Sequence, residues 1–318
     1  MKIRFGFVSQ SWALWEASPA KTLTFTRFKT MKKHEGLEKL KEVTKINLEN
    51  TLRIIYYCIA HEIQVFRFSS SLVPLATHPE VKWDYRSTFK DEFKEIGDLV
   101  KKYHMRSSFH PNQFTLFTSD KQHITENAVG DMVYHYEMLE SMGLHKSGTM
   151  NIHVGGAYGN KEAALERFYE NIKMLPGDVF ERMTLENDDK TYTTEETLAV
   201  CEKIGVPLAF DYHHEFANPS ETASWEELLP RVYRTWDKVG IRPKVHISSP
   251  IDDKKIRHHS DYVDLEFIKP FLKVAVDLGE DIDFMIEAKR KDLAALQLAE
   301  DIGKMRGFKR LSGGSVEW

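Results

Sequence analysis

Two periodicities take turns along this chain. Short apolar runs at Ile3–Val8, Gln64–Ser69, Arg106–Phe109, Met150–His153, Met183–Glu186, Pro207–Asp211, Lys244–Ile247 and Asp283–Glu287 predict strands. Between them the spacing is helical. Leu37, Leu40, Val43, Leu48, Leu52, Ile55 and Ile59 lie near one face of a long first helix, with Lys and Glu opposite. Glu92–Lys102, Glu126–Met142, Glu162–Met174, Thr194–Ile204, Trp225–Trp236, Leu265–Leu278 and Leu293–Met305 continue the series. Gly143, Gly205 before Pro207, Gly240 before Pro243, and Gly279 stop helices ahead of the next strand. Eight strands alternating with eight helices predict an α/β chain folded as one (β/α)8 barrel over residues 1–308, with 309–318 left as a polar tail. An open doubly wound sheet is the lesser alternative.

The strands end in an unusual way. Phe109-His110, Ile152-His153, Leu185-Glu186, Phe210-Asp211, Val245-His246 and Ile286-Glu287 each close an apolar run with His, Asp or Glu. Side-by-side parallel strands would bring these ends together on the C-terminal rim of a barrel. Three His and three carboxylates there form a ligand set for more than one divalent metal, which points to metal-dependent hydrolysis. A carboxylate ending a run such as Met183–Leu185 is costly to bury without a cation or donor. In Asp211-Tyr212-His213-His214 either His is a candidate ligand, and spacing leaves that open. Lys244 and His246 alternate on one strand and so share a face; a lysine inside a barrel needs a partner, a modification or an anion.

Composition narrows the function classes. A length of 318 residues suits one barrel with loop insertions. The formal charge of −4 excludes nucleic-acid binding through the whole surface, so such a partner needs a local basic patch. The rim supplies candidates. Lys21, Arg27, Lys29, Lys32 and Lys33 follow the first strand, Lys254, Lys255 and Arg257 the seventh, and Lys289, Arg290 and Lys291 the eighth. In a closed barrel these strands are neighbours, so the clusters form one positive crescent suited to a phosphodiester backbone. Trp12, Trp15, Phe25, Phe28, Phe114 and Phe117 interleave there as stacking surfaces for bases. No segment has the length and apolarity of a membrane span, no signal-peptide pattern opens the chain, and no Gly-rich phosphate loop appears. Cys58 and Cys201 read as reduced core thiols of a cytoplasmic protein.

Several motifs resemble those of UV damage endonucleases, in order from residue 3 to about 291: Ser69-Ser70-Ser71-Leu72-Val73-Pro74 with His78-Pro79, His110-Pro111-Asn112-Gln113-Phe114, His153-Val154-Gly155-Gly156-Ala157-Tyr158-Gly159, Leu185-Glu186-Asn187-Asp188-Asp189, Asp211 with His213-His214, Lys244-Val245-His246, and Glu287-Ala288-Lys289. The resemblance implies a TIM barrel with a metal cluster at the rim. It further implies nicking immediately 5′ of UV photoproducts (cyclobutane dimers and 6-4 photoproducts), and of abasic sites, leaving 3′-hydroxyl and 5′-phosphate ends. The cofactors it implies are two to three divalent ions, Mn2+ first, with Zn2+, Co2+ or Mg2+ as alternatives.

Carried over residue by residue, it makes His110, His153 and Glu186 ligands of one ion. Glu186, Asp211, His246 and Glu287 would hold a second, with Glu186 bridging, while His214 and His259 help hold a third. His78 and Lys244 match positions close to the metals, and in relatives that lysine can be carboxylated. Glu186, Lys244, His246 and Glu287 are the implied catalytic set. Gln113 and Phe114 match a pair resembling a probe pushed into the duplex opposite the lesion. Phe7, Gln10, Tyr158, Lys254, Lys255, Arg257 and Lys289 are further expected DNA contacts. Where some relatives carry Tyr and Asn near the end of strand one, this chain has Phe7 and Gln10 or Ser11.

The partner so implied is double-stranded DNA with UV lesions, met by a cytoplasmic, nucleoid-associated monomer without a nucleotide cofactor. In the expected reaction a metal-activated hydroxide attacks phosphorus in line while another metal neutralises the departing 3′ oxygen. Two rivals are a metal-dependent sugar isomerase or epimerase on the same barrel and a damage-binding protein whose metals only hold the rim together.

Overall fold

The computed structural model describes all residues, 1–318. Strands β1 Lys2–Val8, β2 Val65–Arg67, β3 Arg106–Phe109, β4 Thr149–His153, β5 Met183–Glu186, β6 Leu208–Asp211, β7 Lys244–Ile247 and β8 Ile282–Ile286 pair in sequence order, all parallel. β1 pairs with both β2 and β8, so the sheet closes into a TIM barrel. A Cβ at Gly6 would lie 2.2 Å from the Val65 carbonyl oxygen, so the closing strands approach because that position is glycine. Eight principal helices return the chain: α1 Lys33–Ala60, α2 Lys90–Lys102, α3 Gln122–Ser141, α4 Lys161–Asn171, α5 Thr194–Ile204, α6 Trp225–Arg234, α7 Leu265–Leu278 and α8 Lys291–Gly303.

The period of two along each strand divides two environments. Outward positions such as Phe5, Ile152, Leu185, Phe210, Val245 and Ile286 are fully buried in the hydrophobic core. Most inward positions are polar, with Val8, Val65, Ala209 and Met285 as exceptions. At the N-terminal end Arg4 holds Asp283 through two bonds of 2.6 Å, and Arg106 adds a third at 2.8 Å. Higher up, the Thr184 hydroxyl donates to Asn151 at 2.7 Å. Each of the six strand-end ligand candidates follows an outward apolar residue, so it faces inward.

The same rule corrects one expected DNA contact. Phe7 points outward with Phe5 and packs edge-on against Phe66 and Tyr57, fully buried. Two expected rim aromatics are also core residues. Phe28 sits among Leu23, Leu40 and Val81, and Phe117 packs against Phe168.

Residues 309–318 are not a free tail. They form a hairpin of β9 Lys309–Ser312 and β10 Ser315–Glu317. β2 pairs only with Gly6–Val8, which leaves the lower half of that β1 edge open, and β10 pairs antiparallel with Lys2–Arg4 there. Val316 is fully buried by this docking. Short helices at Phe25–Lys29, Tyr85–Thr88, Gly177–Phe180 and Tyr212–Ala217 had no signal in the hydrophobic pattern, because one turn is too brief to show a 3.6-residue period. Cys58 and Cys201 are buried and unpaired, and no helix is long and apolar enough to cross a membrane.

Candidate metal centre

Glu186 is the hinge of the rim. Its ligand atoms and those of His110 and His153 lie within 4.8 Å of one another, and the same holds for Glu186 with Asp211, His246 and Glu287. The two groups share only this carboxylate. Burial would raise its pKa, but His246, His153 and His110 around it hold it well below the usual carboxylate range. Glu287 behaves alike, with Arg67 and His246 outweighing burial. Burial pulls His110 down, despite Glu186, into the neutral form that ligates metal.

The donor set fits divalent ions on structural grounds. His246 Nδ1 lies 3.1 Å from both Glu186 and Glu287, yet neither approach has hydrogen-bond geometry, and Nε2 is also without a partner. Asp211 Oδ2 and His153 Nδ1 are likewise buried and unpartnered. Such unsatisfied groups are expensive in a protein interior unless something shared lies between them.

Further His residues complete the rim. His214 Nδ1 donates to the Asn187 carbonyl at 2.9 Å and lies 3.4 Å from Glu186, while His259 Nδ1 donates to the Glu287 carbonyl at 3.0 Å. Each bond leaves Nε2 as the free lone pair, an arrangement common for metal-ligating His. Their ring centres are 6.3 Å apart. His213 is excluded as a ligand because both its nitrogens are engaged, with Ser248 Oγ at 2.7 Å and the Ile256 carbonyl at 2.6 Å. His78 is not part of either group. It stacks on Phe25 in the segment after β1, with ring centres 3.7 Å apart, and its Nδ1 accepts from the Glu80 N–H, so these contacts hold the ring.

Lys244 is fully inside the barrel, and its Nζ has no hydrogen-bond partner. Burial first, then Arg106 and Arg67, bring its pKa down to about 7 against the pull of Glu186 and Glu287. Three supporting residues carried no signal in the sequence. Arg67 pairs with Glu287, and Asn151 donates to Glu186 while bonded to Thr184. Asp292 accepts from Ser11 Oγ and from the backbone of Trp12 and Ala13, which fixes the loop after β1. Arg67 and Asn151 sit at inward strand positions, the one feature by which the sequence could have shown them.

The rim around the centre is exposed and mixed in character. Phe114 is 72 % exposed on the loop after β3, its N–H held by Asn112, and Gln113 beside it is exposed. Phe114 is not packed on Phe117, which belongs to the core. Trp15 is 82 % exposed; Trp12 is half exposed, donates to the Lys289 carbonyl and carries Arg290 over its ring. Lys254, Lys255 and Lys289 are exposed, Gln10 is half-buried, and Tyr158 is exposed beside Arg167. Arg257 lies 3.8 Å from Asp189 and lines the cleft with His110, His153, His214 and His259.

The family described as UV-endonuclease UvdE matches residues 3–318 of this sequence. This chain belongs to that family. Among curated proteins, the UV DNA damage endonuclease of Bacillus pumilus is 59 % identical over 318 residues, covering 100 % of this chain and 99 % of the relative. The protein of the same name from Bacillus velezensis is 57 % identical with the same coverage. Among solved structures, the crystal structure of SacUVDE superposes with a TM-score of 0.84 at 29 % identity, covering 95 % of this chain and 100 % of that one. A xylose isomerase domain protein from Planctomyces limnophilus, at 13 % identity and a TM-score of 0.51, covers 79 % and 91 % and shares the fold alone. UvdE membership and the barrel thus agree, and a DNA-repair endonuclease is the resulting functional class.

Proposed function

We propose that this UvdE endonuclease incises DNA immediately 5′ of UV photoproducts, and of abasic sites, by metal-assisted hydrolysis that leaves 3′-hydroxyl and 5′-phosphate ends. The observation that carries the reading is the pair of ligand groups sharing Glu186, set beside an exposed Gln113-Phe114 loop. His110, His153 and Glu186 would hold one ion, Glu186, Asp211, His246 and Glu287 a second, and His214 with His259 would contribute to a third. Manganese suits this mix of imidazole and carboxylate donors. Bound there, divalent ions supply Lewis acidity and make an attacking water available at neutral pH.

The chain's own residues do the rest. Asn151 and Arg67 fix the orientation of the carboxylates Glu186 and Glu287. The hydrogen bonds from His214 and His259 to backbone carbonyls select the tautomer with Nε2 free. Lys254, Lys255 and Lys289 hold the phosphodiester backbone over the cleft as point charges. Gln113 supplies donors and acceptors to a base that has lost its partner, and Phe114 a stacking face. A photoproduct already weakens pairing and stacking, so it is extruded at lower cost than an intact step, and selectivity follows. The test is end-labelled photoproduct duplex incubated with Mn2+. One cut at the 5′ side with ligatable ends supports the reading, whereas tight binding without a cut contradicts it.

A further inference from the structure

The ligand candidates of the rim come from β3 to β8, and β1 and β2 supply none. Positive charge occupies that sector instead. β1 lies between β8 and β2, with Val8 level with Arg67, so the ion pair of Arg67 with Glu287 spans its C-terminal end. Lys291, the first residue of α8, comes to the same place. Its neighbour Asp292 is buried against the loop leaving β1, where it accepts from Ser11, Trp12 and Ala13.

Two features set Lys291 apart. Its backbone is left-handed, with φ +49°, a conformation that a lysine keeps only where its surroundings impose it. Hydrogen bonds along the loop do so: the Lys289 N–H donates to the Ser260 carbonyl at 3.0 Å, that of Arg290 to Asp261 at 2.9 Å, and that of Lys291 to Ala288 at 3.1 Å. The other feature is its free charge. Arg67 is committed to Glu287, and Arg290 to Asp261 and the Trp12 ring. Lys244 Nζ is unpartnered but sealed inside the barrel. Lys291 is half-buried, its ammonium reaches solvent, and it has neither an ion pair nor a hydrogen bond. Burial lowers its pKa, Glu287 opposes this and Arg67 adds to it, so the charges it faces are those at the edge of the metal centre. A half-buried cation without an anion is costly, and an ammonium is a point charge suited to a phosphate oxygen.

We propose that Lys291 is a catalytic residue whose ammonium holds a non-bridging oxygen of the phosphate cut at the metal centre, offsetting the charge that builds during attack. The proposal rests on the incision argued above. It separates Lys291 from the exposed Lys254, Lys255 and Lys289, which hold the DNA backbone along its track.

Lys291→Gly tests it, because glycine removes the cation and relieves the left-handed backbone together. The variant should melt no lower than wild type. At saturating protein with Mn2+, it should cut a photoproduct duplex about 100-fold more slowly, the scale of losing one donor to transition-state charge. Lys291→Arg should recover more of that rate than Lys291→Gln, with metal content unchanged in both. In chelator, where cutting is stopped, Lys291→Gly should bind duplex with a salt dependence shallower by roughly one phosphate contact. A cutting rate within about twofold of wild type, equal rates for the Arg and Gln variants, or an unchanged salt slope overturns the proposal. Should Lys291→Gly melt lower, Lys291→Asn, which also tolerates this backbone region, is read in its place. If wild-type protein leaves the duplex uncut, the incision reading fails, and the salt slope still decides whether Lys291 holds a phosphate.

Discussion

Glu186 concentrates the chemistry of the rim in one carboxylate, since both ligand groups fail without it. Glu186→Gln keeps shape but removes charge, and is expected to abolish nicking and lower metal content while the far-UV spectrum stays native. Near-normal nicking would remove Glu186 from its bridging role. Asn151 tests the support beneath it. Asn151→Ala is expected to weaken metal binding by roughly 10–100-fold, as loss of an outer partner of a ligand does. Protons compete at His214. Burial lowers its pKa, but Asp211 and Glu186 outweigh that and raise it to about 9. The imidazole must lose its proton to ligate, so metal affinity should rise as pH climbs from the neutral range toward 9, with proton release on binding. Titrations in buffers of different ionisation enthalpy measure that release, and a pH-independent affinity would exclude His214 as a ligand.

At the level of elements, the loop after β3 ties lesion recognition to the metal centre. Pro111 ends the strand, and Gln113 and Phe114 project three and four residues beyond the ligand His110. Replacing both by Ala should lower incision of a photoproduct duplex strongly, retain the metals and spare an abasic duplex whose lesion is already unpaired. Equal losses on both substrates would contradict a role in lesion recognition. This loop was legible in the sequence because an exposed motif follows a strand end. The eight strands were legible for a similar reason: six of them are outward apolar runs closed by an inward His, Asp or Glu, and all eight appear within two residues of their expected bounds. Phe7 and Phe28 were misread because aromatic character says nothing about direction, which only the register with Phe5 and the packing on Leu40 decide. The terminal hairpin was invisible because its strands are too short to alternate and its partner, the open lower edge of β1, is set by tertiary pairing. Arg67 and Asn151 escaped notice because neither ends its strand with a ligand; their roles follow from what they touch.

On the scale of the whole molecule, a formal charge of −4 coexists with exposed lysines on the loops after β7 and β8. The strand order places β7, β8 and β1 side by side, so the basic clusters lie on one arc of the rim. Neutralising Lys254, Lys255 and Arg257 should weaken binding to damaged and intact duplex alike and reduce the salt slope by roughly 1 for each phosphate left without its cation. An unchanged slope would make the arc a solvated face. The central claim joins this arc to the shared carboxylate beneath it: a metal-dependent endonuclease directed to UV damage. Supercoiled plasmid, irradiated or untreated, incubated with the purified protein with and without chelator and added manganese, tests it most directly. The expected result is nicking confined to irradiated plasmid, abolished by chelator and restored by manganese; equal nicking of both plasmids, or nicking that chelator leaves intact, would contradict it.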